Sequence, residues 1–412
     1  MKRALPFAFA AFALARSASA GDLDAHTYVA PTALVQTDFQ ALPQEEENTG
    51  FSLQRFRLGA FSHPTDAILA LAQLQFTPDG DGPEVLDAYA RLGPWHGALF
   101  SAGYFRSPLF ESARNELDGM APFPELSLPA RALWPGRDLA VELHFAPPRL
   151  PFEALVRVGN GNPSPTWNDL NDAFAVTGRF DAVLGRGRID ARGDEAFGLR
   201  VGAAAVWDDD SYDRAGVDGT TASGFEFYRP PTVSGTRRVF EAHALVYAGP
   251  VRVLAEAGGA IEDRSVSNGS ASGPRTPLDP EISRGGSVEI SWMVTGEKRV
   301  AAIWPARRSR SPFSFDHPAI ELAARVDRLD AGLGMRDFAP GGATGASVAA
   351  NAYVNAMFGV TLAGYYYRYD AAPIEEPTVL DSWLVQARLT IYLNPPPLGP
   401  LGLASTPFAS LR

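Results

Sequence analysis

The chain has 412 residues, no cysteine, 39 glycines, 34 prolines and a formal net charge of -11. The missing thiols exclude a disulfide framework, thiolate metal sites and cysteine nucleophiles, and the acidic balance argues against a nucleic-acid partner. Hydrophobic residues make up 46% of the sequence, yet past residue 20 no apolar run reaches the roughly 20 residues that a membrane-spanning helix needs. A soluble protein of several domains and a β-barrel that crosses a membrane both fit apolar residues scattered in short pieces.

Lys2 and Arg3 precede an apolar run from Ala4 to Ala15, followed by Ser17, Ala18, Ser19 and Ala20. A basic head, a short apolar core and an A-x-A site predict a secretory signal peptide over residues 1–20, cleaved after Ala20. Beyond it, segment after segment separates, in steps of two, into an apolar face and a polar or small face. In 138–145, Leu139, Val141, Leu143 and Phe145 oppose Asp138, Ala140, Glu142 and His144, the period of a strand. Phe152, Ala154, Val156 and Val158 oppose Glu153 and Arg157. Ile320, Leu322, Ala324 and Val326 oppose Glu321 and Arg325, and Val385, Ala387, Leu389 and Ile391 oppose Gln386, Arg388 and Thr390. Ionic residues recurring on the second face suit a water-filled lumen better than a core.

Sixteen such segments are expected, at 27–37, 51–61, 67–76, 84–92, 97–105, 138–145, 152–159, 173–180, 198–207, 238–247, 251–259, 286–295, 318–328, 346–358, 360–370 and 381–393. An even number places both ends of a barrel on one side. Connections after odd-numbered segments are long and polar: Asp38–Gly50, Arg106–Arg137, Gly161–Asp172, Asp208–Arg237, Ala260–Gly285 and Leu329–Gly345. Those after even-numbered ones, Ser62–Asp66, Gly93–His96, Ala146–Pro151 and Ala248–Pro250, are short and carry Pro or Gly. Asp181–Phe197 and Gly296–His317 break the alternation, either as long turns or as errors of segmentation. Tyr365, Tyr366, Tyr367, Tyr369, Trp207, Trp292 and Trp383 fall near segment ends, where interfacial girdles sit.

The connection between Arg106 and Arg137 is far longer than a hairpin needs, and loops of that length are usually functional. Within it and at its borders, Phe105-Arg106-Ser107-Pro108, Ser112-Ala113-Arg114 and Ala132-Leu133-Trp134-Pro135-Gly136-Arg137-Asp138 resemble the third-loop signature of the phosphate-selective porin O and P family. Met293 to Arg299, Ala319 to Val326, Asn351 to Asn355 and Val385 to Leu389 resemble the same family in the same order. The resemblance covers most of the chain after residue 20. It implies a sixteen-stranded antiparallel transmembrane barrel in the bacterial outer membrane, contacting its lipid, with the third external loop folded into the lumen, often a homotrimer and passing small hydrophilic anions. Members selective for phosphate line the pore with arginines and use lysines at the constriction, whereas here only Lys298 remains after residue 20, outside the third loop. The family's last strand ends in an aromatic at the C-terminus. Here Leu393 is followed by the Pro-rich tail 394–412, expected to be unstructured.

Arg106, Arg114, Arg131 and Arg137 belong to this stretch, and planar guanidiniums suit oxyanions. Set at a constriction, they would concentrate anions despite the acidic whole. In the alternative, Arg114 and Arg131 pair with Glu111, Glu116, Asp118 or Glu125 and leave no net field. Arg55, Arg57, Arg157, Arg325 and Arg388 lie on polar faces and are candidates to line the lumen. No cofactor is implied and no hydrolase or phosphate-loop motif occurs. His26, His63, His96, His144, His243 and His317 are scattered, without ligand spacing, and Asp208, Asp209, Asp210, Asp213 and Asp218 read as a solvated acidic loop before they read as a cation site. Glu45, Glu46 and Glu47 read likewise, and the sequon Asn268-Gly269-Ser270 carries little weight in a bacterial outer membrane. The expected function is a passive channel without enzymatic activity. A non-conducting envelope scaffold or adhesin, and a hydrolase on the barrel wall, are the competing readings.

Overall fold

The fold comes from a computed structural model that describes residues 28–42, 49–65, 67–76, 82–115, 121–161, 173–189, 196–267, 275–299, 318–355, 357–371 and 378–393. The expected signal peptide 1–20, the tail 394–412, Glu45 to Glu47, Glu116, Asp118 and the sequon at 268–270 lie outside these residues.

The strands are β1 (Tyr28–Ala41), β2 (Gly50–Thr65), β3 (Ile68–Phe76), β4 (Pro83–Trp95), β5 (Ala98–Arg106), β6 (Arg137–Phe145), β7 (Phe152–Gly159), β8 (Ala175–Leu184), β9 (Phe197–Ala215), β10 (Gly219–Thr220), β11 (Glu226–Tyr228), β12 (Thr232–Ala248), β13 (Val251–Ser267), β14 (Arg275–Met293), β15 (Ala319–Leu333), β16 (Gly341–Tyr353), β17 (Phe358–Tyr369) and β18 (Asp381–Leu393). Short helices α1 (Glu111–Asn115) and α2 (Leu128–Leu133) lie between β5 and β6, and α3 (Arg186–Ile189) follows β8. β10 and β11 form a hairpin of their own, and the other sixteen strands make a closed barrel in which each neighbour is antiparallel. β18 returns to β1 in register from Ala33↔Leu393 to Ala41↔Val385. Closure leaves no edge strand with unpaired backbone groups, the condition for placing strands in hydrocarbon.

The two faces are inverted relative to a water-soluble protein. Val141, Leu143, Val156, Val326, Val348 and Leu362 are exposed, while Glu142, Arg157, Arg179, Arg200, Arg325 and Asp327 are buried. Leaving a large aliphatic side chain in water forgoes roughly 1.5–3 kcal/mol, repeated around the whole wall, and surrounding hydrocarbon removes that penalty. The exposed face is built for lipid and the buried face for polar chemistry.

Several segment boundaries shift. β9, β12, β13 and β14 run for 19, 17, 17 and 19 residues, into stretches that read as loops. There Asp208 stands opposite Arg237 and Asp209 opposite Thr236, so polar pairs continue the ladder where no apolar face is required. The segment expected at 346–358 ends at Tyr353, because Asn355 Oδ1 accepts from the Met357 and Phe358 N–H groups at 2.8 and 2.9 Å and turns the chain. The segmentation on either side of 185–196 and 294–318 holds, since β8 pairs directly with β9 and β14 with β15. The expected tyrosine girdle is corrected by parity: Trp207, Trp292 and Trp383 are exposed, but Tyr365, Tyr367 and Tyr369 take the buried face. Only Tyr366 joins the outer face, its ring 4.5 Å from that of Trp383.

Candidate functional site

Residues 107–136 leave β5 and rejoin β6 at one point, where the Ser107 N–H donates to the Gly136 carbonyl at 2.8 Å. Between these ends, Ser127 caps α2 by accepting from the Ala130 N–H, and Pro129 sits in its first turn. Gly136, at φ +84, turns the chain back into the wall. Leu109, Phe110, Ala113, Phe123, Leu128 and Leu133 are buried in one cluster that also holds Tyr365 and Tyr367. Gly258 of β13 makes this possible, since a Cβ there would stand 2.8 Å from the Phe110 ring.

Polar bonds tie the same segment to strands far around the barrel. Glu111 accepts from Arg200 of β9 at 2.9 Å and from Arg179 of β8. Ser112 donates its hydroxyl and N–H to Glu256 of β13 at 2.6 and 3.0 Å. Arg325 of β15 donates to the Glu125 carbonyl at 2.8 Å and stacks over Phe123. Asn351 of β16 donates to the Pro122 carbonyl at 2.9 Å, and Arg388 of β18 to the Pro124 carbonyl at 2.8 Å. Each of these wall side chains is on the buried face.

The four arginines of this stretch differ in environment. Arg114 lies 3.9 Å from Glu111 and 3.6 Å from Asp181, and Arg131 donates to Glu125 at 2.6 Å. Arg137 bonds Asp87 of β4 at 3.1 Å, and Arg106 donates to the Ala113 carbonyl at 3.1 Å. Among the wall arginines, Arg157 donates to the carbonyls of Phe105, Arg106 and Asp138, Arg325 pairs with Asp327 at 3.3 Å, and Arg388 pairs with Asp38 at 2.7 Å. Arg55 and Arg57 donate instead to the amides Gln36 and Gln75, at 2.9 and 2.8 Å.

A second polar centre was not legible in advance. Arg179 and Arg200 meet at Glu111, and Arg179 and His243 both meet Asp181 and Glu241, with His243 Nε2 3.0 Å from Asp181 Oδ1 and Nδ1 3.1 Å from Glu241. His144 lies 3.4 Å from Glu153, which Arg200 also bonds. The buried-face alternation Thr177, Arg179, Asp181 was the available signal. Its partners come from strands and a loop remote in sequence. Asp208 and Asp209 are corrected from loop to strand residues, and their side chains take opposite faces, so they do not converge on a cation. Among the described residues no group of three or more His, Asp or Glu side chains is arranged to hold a metal.

No protein-family model and no curated protein matches the sequence. The fold is nevertheless shared with solved outer-membrane proteins. An "outer-membrane expressed OmpT of Vibrio cholerae" superposes with a TM-score of 0.56 at 12% identity, over 89% of this chain and 98% of that one. An anion-selective porin from Comamonas acidovorans gives 0.55 at 10% identity, over 89% and 100%. The outer membrane channel DcaP of Acinetobacter baumannii gives 0.54 at 10%, over 90% and 98%. At such identities the likeness establishes the fold alone.

Proposed function

We propose that this chain is an outer-membrane porin of the phosphate-selective porin O and P type, a passive channel for small hydrophilic anions with no enzymatic activity. The observation that carries the reading is the inverted barrel. An apolar belt faces outward for outer-membrane lipid, ionic side chains face inward, and residues 107–115 and 121–136 are bonded to the inner face over more than half the circumference. A segment so bonded runs through the lumen and narrows it.

Guanidiniums gathered at the narrow zone support anions over cations: Arg55, Arg131 and Arg388 surround Glu125, with Arg388 also paired to Asp38 and Arg131 also acting on Asp327. Arg114 and Arg131 act first as anchors for the segment. Inorganic phosphate has no special claim, because the family's constriction lysines are absent. A homotrimer fits the reading, one neighbour being described in a trimer form.

One observation favours the scaffold alternative. Nearly all inward side chains of β7 to β9 and β12 to β18 are buried, so the lumen is filled on that side. Planar-bilayer recording separates the readings. Stepwise ionic conductance supports the channel, and a sealed barrel would leave the scaffold.

A further inference from the structure

We propose that the outer wall of the barrel carries a binding site for one anionic, phosphate-bearing lipid, with its acyl chains in two apolar grooves and its headgroup against Arg284. The site goes beyond the channel reading: it needs the barrel to sit in lipid but needs nothing to pass through it.

Large aliphatic and aromatic side chains cover most of the outer face, but across β9, β12, β13 and β14 the wall is hollow. One cross-strand row runs Phe180↔Ala203↔Ala242↔Ala257↔Gly286↔Arg328, so nothing larger than a methyl group stands between Phe180 and Arg328. From Ala203 to Gly286 the hollow spans about 14 Å, at 4.7–4.9 Å per strand. It encloses about 1110 Å³ and is lined also by Phe240 and Arg284. A second groove, of about 550 Å³, lies over Ala324, Ala346 and Gly364 with Tyr366 and Trp383 in its lining. Val288 and Val326 line its near side, next along β14 and β15 to Gly286 and Arg328 of the first groove. The backbone does not demand these hollows. A Cβ on Gly178, in the first groove, would meet nothing within 4 Å, and one on Gly364 would meet only a Val348 methyl at 3.8 Å. Glycine weakens a strand interior and marks the close approach of something else.

Apolar lining alone selects no lipid, because acyl chains are as apolar as the side chains they touch. Charge at the head of the grooves selects. Register sets Val326, Ala346, Tyr366 and Trp383 in one row, and Arg328 stands one outward position above it, toward the long connections. An arginine facing lipid costs little at that border of the hydrocarbon. Arg328 is held in place, donating to Asp330 and Asp370 at 2.8 Å and to Thr344 at 3.0 Å. Arg284 differs. Its carboxylate neighbour is the same Asp330, at 3.7 Å and already engaged by Arg328, and 71% of its side chain is accessible. Since 3.7 Å is beyond hydrogen-bond reach, the Arg284 fork keeps its donors for another oxyanion, and a phosphodiester accepts two parallel N–H bonds from such a fork. A lipid of the leaflet at the long-connection end, seated with its phosphate there, extends its chains into both grooves.

Native mass spectrometry of the folded chain in detergent tests this, with phosphatidylglycerol and phosphatidylcholine of identical chains supplied in equal amounts. Wild type should retain phosphatidylglycerol over phosphatidylcholine by about 5-fold or more. Arg284→Ala should cut that preference by about 5-fold, the worth of one arginine beside an anionic lipid. Arg336→Ala, which removes an exposed arginine outside the grooves, should leave it unchanged. Ala257→Trp, which fills the first groove from the lipid side, should reduce retention of both lipids, and heat-modifiable migration checks that each variant is folded. Equal retention of the two lipids by wild type, or a preference that survives Arg284→Ala, would overturn the proposal. Glycerol phosphate competing as strongly as the intact lipid would overturn it too, by marking a free-anion site, as would loss of an oligomer instead of lipid in Ala257→Trp, by making the grooves a contact between copies. A barrel that retains phosphatidylglycerol in this way but does not conduct would refute the channel reading and leave the lipid site standing.

Discussion

Arg200 of β9 donates Nη1 to Glu111 Oε1 at 2.9 Å, with both side chains buried, and so joins the connection between β5 and β6 to a strand four places further around the barrel. Glu111 also accepts from Arg179. Removing Glu111 leaves Arg179 with Asp181 and Glu241 and Arg200 with Glu153, so the cost should stay below the about 3–5 kcal/mol of a buried charge stripped of its only partner. Glu111→Ala should lower the thermal unfolding midpoint in detergent and raise hydrogen exchange in 107–115, whereas the exposed-pair variant Arg336→Ala should change neither.

The same carboxyl sets an acid limit. Burial alone would raise the Glu111 pKa, but Arg200 and Arg179 outweigh it and hold the group well below the usual carboxylate range. A depressed folded pKa contributes stability that is fully present above the unfolded value of about 4.3 and is lost as pH falls through the lower folded value. The difference in exchange protection over 107–115 between wild type and Glu111→Gln should therefore be unchanged between about pH 7 and pH 5 and shrink only below about pH 4. Loss of that difference already at pH 6 would show that Glu111 does not carry the latch.

Orientation follows from the long connections lying at one end. Protease added to intact cells should cut within 268–274 and spare Ala146–Pro151. Cleavage confined to the short turns would mean that the barrel sits the other way up.

Residues 394–412 follow a strand that already closes the barrel, with Leu393 in register with Ala33. Deleting the tail should leave assembly and heat-modifiable migration intact. Failure to assemble would place the assembly signal beyond Leu393.

The barrel was legible because period-two alternation is a local property: in β6 and β15, burial follows the order read from Leu139 to Phe145 and from Ile320 to Val326. What failed was reading length from hydrophobicity. Above the apolar belt a strand needs only cross-strand partners, as Asp208 has in register with Arg237, and such pairs resemble loop sequence. The tyrosines at 365, 367 and 369 looked like a girdle because their position near a strand end was read without their parity. The lumen was the least legible region. Glu111, Arg179, Arg200 and His243 come from four separate parts of the chain, and nothing local to His243 announces Asp181 as its neighbour.

The central claim is that guanidiniums gathered around Glu125 select anions, and a reversal potential in a potassium chloride gradient across a planar bilayer tests it most directly. The wild-type potential should take the sign of chloride permeation. Arg55→Ala and Arg131→Ala should each reduce the anion-to-cation permeability ratio by about 2–5-fold, equivalent to roughly 0.4–1 kcal/mol, with Asp209→Asn nearly silent because exposed charge is screened within roughly 8–10 Å. A cation-selective wild type, or a ratio unmoved by both arginine substitutions in folded barrels, would contradict the account.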